Sequence, residues 1–477
     1  MSKKMTADTK KAKSNYTRGS IGGTMLKTGF AMLAGTLAMS GYNIVDTYFV
    51  GNLGKIPMAA MGFTMPIIML VGCFFRGLTI GVMATSAQSL GGGKQTKATN
   101  LIFSGIALIT VISLVAGICG LFVSEYLIRL MNASDAALPL AKEYMDIWFL
   151  GCVTAFVGLT GNDLLISSGY SRTASTLMVA GLVLNTILDP LFIFGMGPVP
   201  AMGMKGAALA TVVAQACSAA VALTVLHHKG LFVLKVPEWK IMEKAWLLII
   251  KYAIPSSLGM LMMPLGSFVI TWITAKFGDA AVAATAAAAR LEMLAFVFPM
   301  ALGISLMPMV GQNFGARLYG RIRECKRFSF LFAFFFLLVM AVIYFFLADL
   351  LVKQFSPDPE VRKIMATCMR IIPWGFWATE IHRYSGFFFT GCGHPRISAY
   401  LNGFRMIGLL LPFSFIALYF NNLEGLFWAR FAADILAGFT GMYLASGLVK
   451  NLPEEDGKPY DGKHIWQDML PFLKKRF

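Results

Sequence analysis

Long runs of apolar residues, separated by short breaks rich in charge, glycine or proline, recur along the whole chain. A helix needs about 20 apolar residues to cross the hydrocarbon core of a bilayer. Because backbone polar groups must be satisfied inside lipid, runs of this length predict membrane-spanning helices. The pattern predicts twelve segments, at residues 24–50, 57–88, 98–123, 138–167, 173–195, 205–227, 245–277, 282–311, 328–349, 361–391, 397–419 and 424–449.

The composition agrees with a helical membrane protein. Of the 477 residues, 57% are hydrophobic and 14% are charged, and the mean hydropathy is +0.67. Soluble domains carry about 25% charged residues, so a disordered chain, a coiled coil and an ordinary cytosolic enzyme are excluded. The predicted fold class is an all-α polytopic membrane protein. The basic N-terminal tail has no cleavable pattern, so we expect no signal peptide.

The net charge of +17 is distributed as a topology signal. With twelve spans, Lys and Arg number 26 on the side of the two termini, with Lys27 counted there, and eight on the opposite side. The positive-inside rule therefore predicts a multi-pass protein of the cell (inner) membrane with both termini in the cytoplasm. The basic cytoplasmic patches can also attract anionic membrane lipids, and no nucleic-acid partner is expected.

The two halves of the chain resemble each other at a constant offset of 224 residues. The segment "QSLGG" follows the second span of the first half, and "QNFGA" follows the second span of the other half. Because each half holds six spans, the repeats should share one orientation, be related by a pseudo-twofold axis along the membrane normal, and enclose a cavity. The paired positions are Gly54 and Gly278, Gln88 and Gln312, Gly91 and Gly315, Gly151 and Gly375, Gly169 and Gly393, and Arg172 and Arg396.

The repeat predicts a division of the chain into two six-helix bundles. These bundles are an N-lobe with the first six helices and a C-lobe with the last six. Such a duplicated architecture suits alternating access, in which two lobes move about a central site. The predicted limits are a cytoplasmic N-tail at 1–23, the N-lobe at 24–227, a cytoplasmic linker at 228–244, the C-lobe at 245–449 and a cytoplasmic C-tail at 450–477.

Acidic residues inside membrane segments are costly and invite a functional interpretation. Four of them have a basic residue close in sequence, which favours a satisfied ion pair on one helix face. These pairs are Asp146 with Lys142, Glu380 with Arg383, Asp434 with Arg430, and Glu292 with Arg290, the last at a less favourable spacing of two residues.

Asp46 and Asp189 differ, because neither has a basic residue within one helical turn and each is embedded in apolar sequence. Asn185 precedes Asp189 by four residues, which places both side chains on one helix face. At about 1.5 Å of rise per residue, Asp46, Asp189 and Thr211 lie at similar depths of roughly 9–12 Å from the outer ends of their segments. We therefore predict that Asp46, Asn185, Asp189 and Thr211 form a cation- or proton-coupling site in the N-lobe.

The second half of the chain lacks these polar groups. At the same offset, Asp46, Asn185 and Asp189 correspond to Ile270, Leu409 and Phe413. The scaffold alone therefore does not require them.

Two kinds of ion coupling fit such a site. Burial in a medium of low dielectric favours the protonated form of a carboxylic acid, and a second carboxyl group nearby favours it further. The pair can hold a proton and release it when water or a cationic substrate enters. Alternatively, oxygen atoms of Asp46, Asn185 and Asp189 can coordinate Na⁺, since hard cations take oxygen ligands. We favour the proton and leave Na⁺ as the alternative.

Motifs for other chemistry are absent from the sequence. It contains no G-x-x-x-x-G-K-[ST] phosphate loop, no H-E-x-x-H or zinc spacing among its five histidines, and no G-x-S-x-G elbow. The prediction is that the chain is not an enzyme and has no cofactor beyond the coupling ion.

Several segments together resemble the MATE (multidrug and toxic compound extrusion) family over about residues 20–450. They are "NIVDTYFVGNLG", "LNTILDPLFIFG", "GMKGAALAT" and "VGQNFGA". The resemblance implies two six-helix bundles in a V and antiport of H⁺ or Na⁺ against organic cations and other xenobiotics. It also implies that Asp46, Asn185, Asp189 and Thr211 form the cation site of the N-lobe.

The sequence departs from the family at two places. Some members carry a Glu in helix seven, eight residues after a Pro, where this chain has Met263 after Pro255. Many members bend helix one at a Pro, and segment 24–50 contains none. Glu292, with Arg290, is a candidate C-lobe site. The Met and Phe residues Met260, Met263 and Phe296 are candidates for an adaptable substrate cavity.

The function predicted from the sequence is a multidrug efflux antiporter that exchanges H⁺ or Na⁺ for cationic amphipathic compounds and acts as a monomer. An alternative is a lipid-linked precursor flippase of the same superfamily, which usually has a strongly cationic central cavity. Convergence of the intramembrane Arg and Lys residues on one cleft would favour that alternative. A third hypothesis, a non-transporting receptor, is disfavoured by the unpaired buried acids.

Overall fold

The computed structural model describes residues 15–460, except for the side chains of Asn15 and Asn43. The remaining parts of the predicted N-tail and C-tail, residues 1–14 and 461–477, lie outside the described residues. The described chain is helical, as predicted. Its α-helices are α1 (Ile21–Gly51), α2 (Lys55–Gly91), α3 (Gln95–Leu130), α4 (Ala137–Leu150), α5 (Cys152–Ser167), α6 (Ser171–Ile193), α7 (Met204–His228), α8 (Trp239–Ala275), α9 (Asp279–Gly315), α10 (Tyr319–Lys353), α11 (Pro359–Ile371), α12 (Phe376–Gly391), α13 (Pro395–Gly403), α14 (Leu411–Tyr419) and α15 (Leu423–Lys450).

Every predicted segment coincides with helical structure, but helices and segments do not correspond one to one. Within residues 15–460, nine helical stretches are long and apolar enough to span a bilayer, and α4 with α5 makes a tenth if the pair is one span. The segment predicted at 138–167 is broken at Gly151, where the axes of α4 and α5 differ by 55°. The segment predicted at 361–391 is interrupted by a 3₁₀ turn, Ile372–Gly375, between α11 and α12.

Glycines that recur at the 224-residue offset occupy turns that require a left-handed backbone. Gly54, between α1 and α2, has a φ of 116°, and its counterpart Gly278, between α8 and α9, has a φ of 100°. Gly169 and Gly393, which follow α5 and α12, have φ values of 89° and 93°. Side chains with a Cβ rarely adopt this conformation, which explains why the same residue type stands at both copies of each turn.

Contacts divide the chain into two compact units. Within the described residues, unit 1 contains residues 30–257, and unit 2 contains residues 16–29 and 258–460. The boundaries therefore fall inside α1 and α8. Compared with the lobe limits 24–227 and 245–449 expected from the sequence, the first residues of α1 belong to unit 2 and the first part of α8 belongs to unit 1.

The eleventh predicted segment changes its helical geometry halfway along. Residues Phe404–Leu410 form a π-helical turn that joins α13 to α14 without a break. Hydropathy does not distinguish a π-helix from an α-helix, so this turn could not be predicted from the apolar pattern. π-Helical turns are rare and occur often at functional sites, which makes the surroundings of this turn in unit 2 a candidate site.

Candidate functional site

Close helix packing in unit 1 brings the predicted acidic residues together. α1 approaches α6 through Gly35, whose backbone N–H donates to Ser175 Oγ at 2.9 Å. A Cβ at Gly35 would lie 3.1 Å from Ser175 Cα, so a larger residue would push the helices apart. Small residues at such interfaces let membrane helices pack closely. The contact places the last turns of α1, with Asp46, beside the end of α6, with Asp189.

A tight connection between α6 and α7 positions the fourth residue. The backbone N–H of Met202 donates to the carbonyl of Phe192 at 2.9 Å, and that of Gly203 donates to the carbonyl of Ile193 at 3.1 Å. A Cβ at Gly206 would lie 2.3 Å from the carbonyl oxygen of Phe192, so glycine is required there. The start of α7 therefore packs on the end of α6, and Thr211 faces the acids.

The four residues predicted from the sequence form one cluster. Thr211 Oγ1 donates to Asp46 Oδ2 at 3.5 Å, and Asn185 Nδ2 donates to Asp189 Oδ1 at 3.2 Å. The carboxyl group of Asp46 also interacts with Asp189 and Asn185 across the contact between α1 and α6. All four residues are buried, with Asp46 5% exposed and Asp189 0% exposed.

Three oxygen atoms of this cluster lack a hydrogen-bond donor in the part of the chain that the structure describes. They are Asp46 Oδ1, Asp189 Oδ2 and Asn185 Oδ1. An ionised carboxylate that is buried with an unsatisfied oxygen is costly, and two such groups side by side also repel each other. A proton on one carboxyl group, or a cation held between the oxygens, would supply the missing partner.

Any cation at this site would rely on amide and hydroxyl oxygens beside the two acids. Among residues 15–460, no group of three or more His, Cys, Asp or Glu is arranged to hold a metal ion.

Two tyrosines, which the sequence analysis missed, surround the acids. Tyr42 OH donates to the backbone carbonyl of Thr211 at 3.4 Å. Tyr144 on α4 is buried, and its hydroxyl interacts with Asp46, Asp189 and Thr211. Tyr42 lies four residues before Asp46, a spacing that signals a shared helix face. Nothing in the sequence links Tyr144 to the site, because α4 joins it only through tertiary packing.

Other acids of the spans are neutralised by ion pairs. The predicted pairs of Lys142 with Asp146 at 2.7 Å and of Arg383 with Glu380 at 2.8 Å are confirmed. Asp163 is also paired, since Arg76 contacts it at 2.5 Å from a different helix. These acids therefore differ from Asp46 and Asp189, for which the described residues offer no basic partner.

The predicted partner of Glu292 is wrong. Glu292 on α9 pairs with Arg430 on α15, whereas Arg290 is exposed. The expected partner of Asp434, Arg430, is also not its main partner. Arg405 Nε and Nη2 donate to Asp434 Oδ1 at 2.9 and 2.6 Å, while Arg430 Nε is 3.8 Å from Asp434 Oδ2. Tertiary packing of three elements therefore decides both pairs.

One of the three predicted substrate-cavity residues, Met263, borders a cavity of about 230 Å³ in unit 2, and the other two do not border it. Phe296 is buried in the core, where its ring lies 5.0 Å from that of Phe376 and 5.1 Å from the Arg383 guanidinium. Met260 is half-buried and does not border this cavity.

Long apolar helices around a cluster of buried acids define the class of this protein as a multi-pass membrane transporter. The chain belongs to the MatE family, whose model matches residues 31–191 and 255–416. The two matches begin 224 residues apart, the offset at which the sequence repeats. Members of this family are transporters, which confirms the family resemblance and the prediction that the chain is not an enzyme.

Relatives of known description cover nearly the whole chain. An FAD transporter from Shewanella oneidensis is 29% identical over 440 residues, which are 90% of this chain and 95% of the relative. The multidrug export protein MepA from Staphylococcus aureus is 24% identical over 92% of this chain and 96% of its own length. The Vibrio cholerae MATE transporter VcmN, in its bent form, superposes with a TM-score of 0.85 at 27% identity, over 90% of this chain and 97% of VcmN.

Proposed function

We propose that the protein is a secondary active antiporter that exports small organic compounds in exchange for H⁺, or alternatively Na⁺. Its twelve spans would form two six-helix lobes related by a pseudo-twofold axis, with cytoplasmic termini in the inner membrane. Substrate would move by alternating access of the lobes. The observation that carries the proposal is the contact between Asp46 and Asp189 in a buried, oxygen-lined cluster.

The proton would reside on the Asp46–Asp189 pair. Two ionised carboxylates in contact repel, and burial adds a desolvation cost, so one proton stabilises the pair. Thr211 and Asn185 each donate one hydrogen bond to the pair and leave room for that proton. Entry of water or of a cationic substrate would stabilise the ionised form and release the proton, which links substrate movement to the proton gradient.

Sodium coupling remains the alternative for the same residues. The unsatisfied oxygens of Asp46, Asp189 and Asn185 are ligands of the kind that hard cations take. A sodium ion would neutralise the pair as a proton does. Proton coupling and sodium coupling therefore predict the same effects of mutations at this site. They differ only in which gradient drives transport.

The transported compounds are proposed by analogy with the relatives. Similarity to MepA, a multidrug export protein, supports export of cationic amphipathic drugs. Similarity to an FAD transporter supports a second candidate, export of a flavin dinucleotide. That candidate is also favoured by two guanidinium groups, of Arg405 and Arg430, on the wall of the unit 2 cavity.

The alternative of a lipid-linked precursor flippase has less support. It would be favoured by convergence of several intramembrane Arg and Lys residues on one cleft, and two of the seven, Arg405 and Arg430, line the unit 2 cavity. Five of the seven Arg and Lys residues within the predicted spans are paired with carboxylates in the described structure. These are Arg76, Arg370, Arg383, Arg405 and Arg430.

Transport by proteoliposomes under imposed gradients tests the proposal. We expect uptake or release of ethidium or FAD to follow a pH gradient, or a Na⁺ gradient if sodium is the coupling ion. Asp46→Asn and Asp189→Asn should abolish this dependence. Asp349→Asn is the matched control, because Asp349 pairs with Arg370 at an exposed position. Transport that depends on neither gradient, or full coupled transport by both mutants, would contradict antiport through this site.

A further inference from the structure

A cavity within unit 2 is bounded by five α-helices, the π-helical turn and the 3₁₀ turn that begins at Ile372. Its volume of about 230 Å³ lies below the roughly 300–1,000 Å³ of pockets that enclose a drug-sized ligand. The cavity is therefore the size of a subsite for one chemical group and not of a whole substrate site. Its lining comes from α8, α9, α11, α14, α15, residues 404–410 and Ile372.

Three charged side chains stand on the otherwise mainly apolar wall of this cavity. They are Glu292, Arg405 and Arg430, and Asp434 lies behind them. The Arg430 and Glu292 side chains remain 29% and 20% exposed, whereas Asp434 is only 1% exposed. Charged groups inside membrane segments are costly and usually mark a ligand or ion pathway. With Arg405 18% exposed, all three side chains that line the cavity keep part of their surface accessible.

The π-helical turn supplies part of this wall. Arg405, Met406 and Leu410 line the cavity, and all three belong to residues 404–410. A π-helical turn is less stable than an α-helical one and is frequent at functional sites. Here the turn carries the guanidinium of Arg405, which bonds Asp434 on α15.

The described hydrogen bonds use only part of the donor capacity of the two guanidinium groups. Together they carry ten N–H donors. The hydrogen bonds that the structure describes for residues 15–460 use three of these donors, two to Asp434 and one to Glu292. The hydroxyl of Ser414, which also lines the cavity, is buried without a partner in the described chain. An occupant that brings acceptor oxygens would satisfy these donors.

We propose that this cavity is a subsite for the phosphate or carboxylate group of an organic anion, with Arg430 and Arg405 as the donors. Guanidinium groups match such oxygens in bidentate geometry. A cation would instead compete with Arg430 and Arg405 for carboxylates that already accept charged hydrogen bonds. Glu292 acts as the counter-ion of Arg430 when the subsite is unoccupied, and Asp434 holds Arg405 in place.

The repeat indicates that this polar group is not needed to form the fold. At the 224-residue offset, Glu292, Arg405, Arg430 and Asp434 correspond to Ile68, Gly181, Gly206 and Ala210. The other half of the chain therefore builds its helices with none of the four charges. The subsite would add organic anions to the substrates of the proposed transporter, so its role rests on the proposed function. Its existence does not, because binding can be measured without transport.

Calorimetric titration of the purified full-length protein tests the subsite, with phenyl phosphate as the probe and a buffer free of phosphate. We expect wild-type protein to bind phenyl phosphate and not phenol, which lacks the anionic oxygens. Arg430→Gln and Arg405→Gln should each weaken binding about tenfold or more, and Arg430→Lys should weaken it less, because lysine keeps the charge but loses the bidentate fork. Arg370→Gln is the control, since Arg370 pairs with the exposed Asp349.

Each outcome decides the proposal. A melting curve establishes whether each variant is folded. If Arg430→Gln does not fold, the conservative variant Arg430→Lys replaces it in the titration. Wild-type protein that fails to bind phenyl phosphate, or equal binding by the Arg430 variants, overturns the subsite. Loss of coupled transport in Asp46→Asn with phenyl phosphate binding retained would show that the antiport site and the subsite are separate.

The same titration in nanodiscs distinguishes the two sources of anionic oxygens. Phenyl phosphate binding that is equal in phosphatidylcholine and phosphatidylglycerol supports a soluble anion as occupant. Weaker binding in phosphatidylglycerol would support an anionic lipid headgroup in the same subsite.

Discussion

Asp46 in unit 1 and Ile270 in unit 2 stand at corresponding positions of the repeated sequence, and their surroundings differ in charge. Asp46 belongs to a cluster of buried oxygens, and no salt bridge joins it to a Lys or Arg within residues 15–460. Ile270 lines a cavity whose charged groups are two arginines paired with carboxylates, Arg405 with Asp434 and Arg430 with Glu292. One helical scaffold thus carries two unpaired acids in one copy and paired arginines and carboxylates in the other, which we propose serve a proton or cation and an organic anion.

The two sites also differ in how their charge is balanced. In unit 2 both acids at the cavity have an arginine partner. In unit 1, the partners that residues 15–460 offer to Asp46 and Asp189 are each other, an amide and hydroxyl groups. A paired charge is already neutralised and has little need of a proton. A pair of unneutralised acids requires one. The imbalance in unit 1 is therefore what makes ion coupling expected there and not in unit 2.

The largest expected effect comes from replacing Asp46 by isoleucine, the residue type that unit 2 carries at the corresponding position. Asp46→Ile should lower the initial rate of coupled transport by about 100-fold or more, because the remaining acid then has no partner with which to share a proton. The melting temperature should be unchanged or higher, since a buried polar group with an unsatisfied oxygen is removed. Transport assays in proteoliposomes and melting curves in detergent measure the two effects.

Asp349→Asn should leave both quantities near their wild-type values, because its pair with Arg370 is exposed. Near-normal coupled transport by Asp46→Ile would remove the functional difference between the two copies.

The second expected effect is on stability and lies in unit 2. Glu292→Gln and Arg430→Gln should each destabilise the protein by about 1–2 kcal/mol, because each leaves one charge without its partner. The cost is below the ~3–5 kcal/mol of a fully buried pair, since both side chains keep partial contact with solvent. Denaturation of the single and double variants in detergent measures it as a double-mutant cycle.

The double variant Glu292→Gln/Arg430→Gln should recover part of the loss, since no unpaired charge remains. Additive effects of the two substitutions would contradict a direct ion pair.

These contrasts also explain what the sequence could predict. Segment positions follow from the length of apolar runs, and the acidic site follows from two carboxylates in apolar surroundings without a nearby base. Both are local features of the chain. The pair of Glu292 with Arg430 joins residues 138 positions apart, so no local spacing could reveal it. Arg290, two residues away, was the nearer but wrong partner.

The π-helical turn and the bend at Gly151 escaped prediction for a related reason. The residues of 404–410 are apolar apart from Arg405, as in any membrane helix. Gly151 is one of many glycines, and a Cβ there would lie 2.2 Å from Val212 Cγ2 on another helix. Tertiary packing therefore decides both features, and hydropathy does not report it.

A third prediction addresses how much the hydroxyl groups around the acids contribute. Tyr144→Phe should lower the initial rate of coupled transport about fivefold, because the variant loses a buried hydroxyl that interacts with Asp46, Asp189 and Thr211, a loss worth about 1 kcal/mol. The fold should be unaffected, since the ring stays in its buried position. Rates under a fixed pH gradient, compared with the melting temperature, separate the two effects. A rate equal to that of the wild type would place Tyr144 outside the coupling site.

The smallest expected effect belongs to Tyr42, the other tyrosine at the acids. Its hydroxyl donates to the backbone carbonyl of Thr211 at 3.4 Å, a long bond to a neutral acceptor. Tyr42→Phe should therefore change the rate of coupled transport by less than about twofold. The comparison with Tyr144→Phe under the same gradient tests which of the two hydroxyl groups, both of which interact with Asp46 and Asp189, contributes more to coupling. If Tyr42→Phe were the more damaging substitution, the bond from α1 to the backbone of α7 would contribute more to coupling than the hydroxyl of Tyr144.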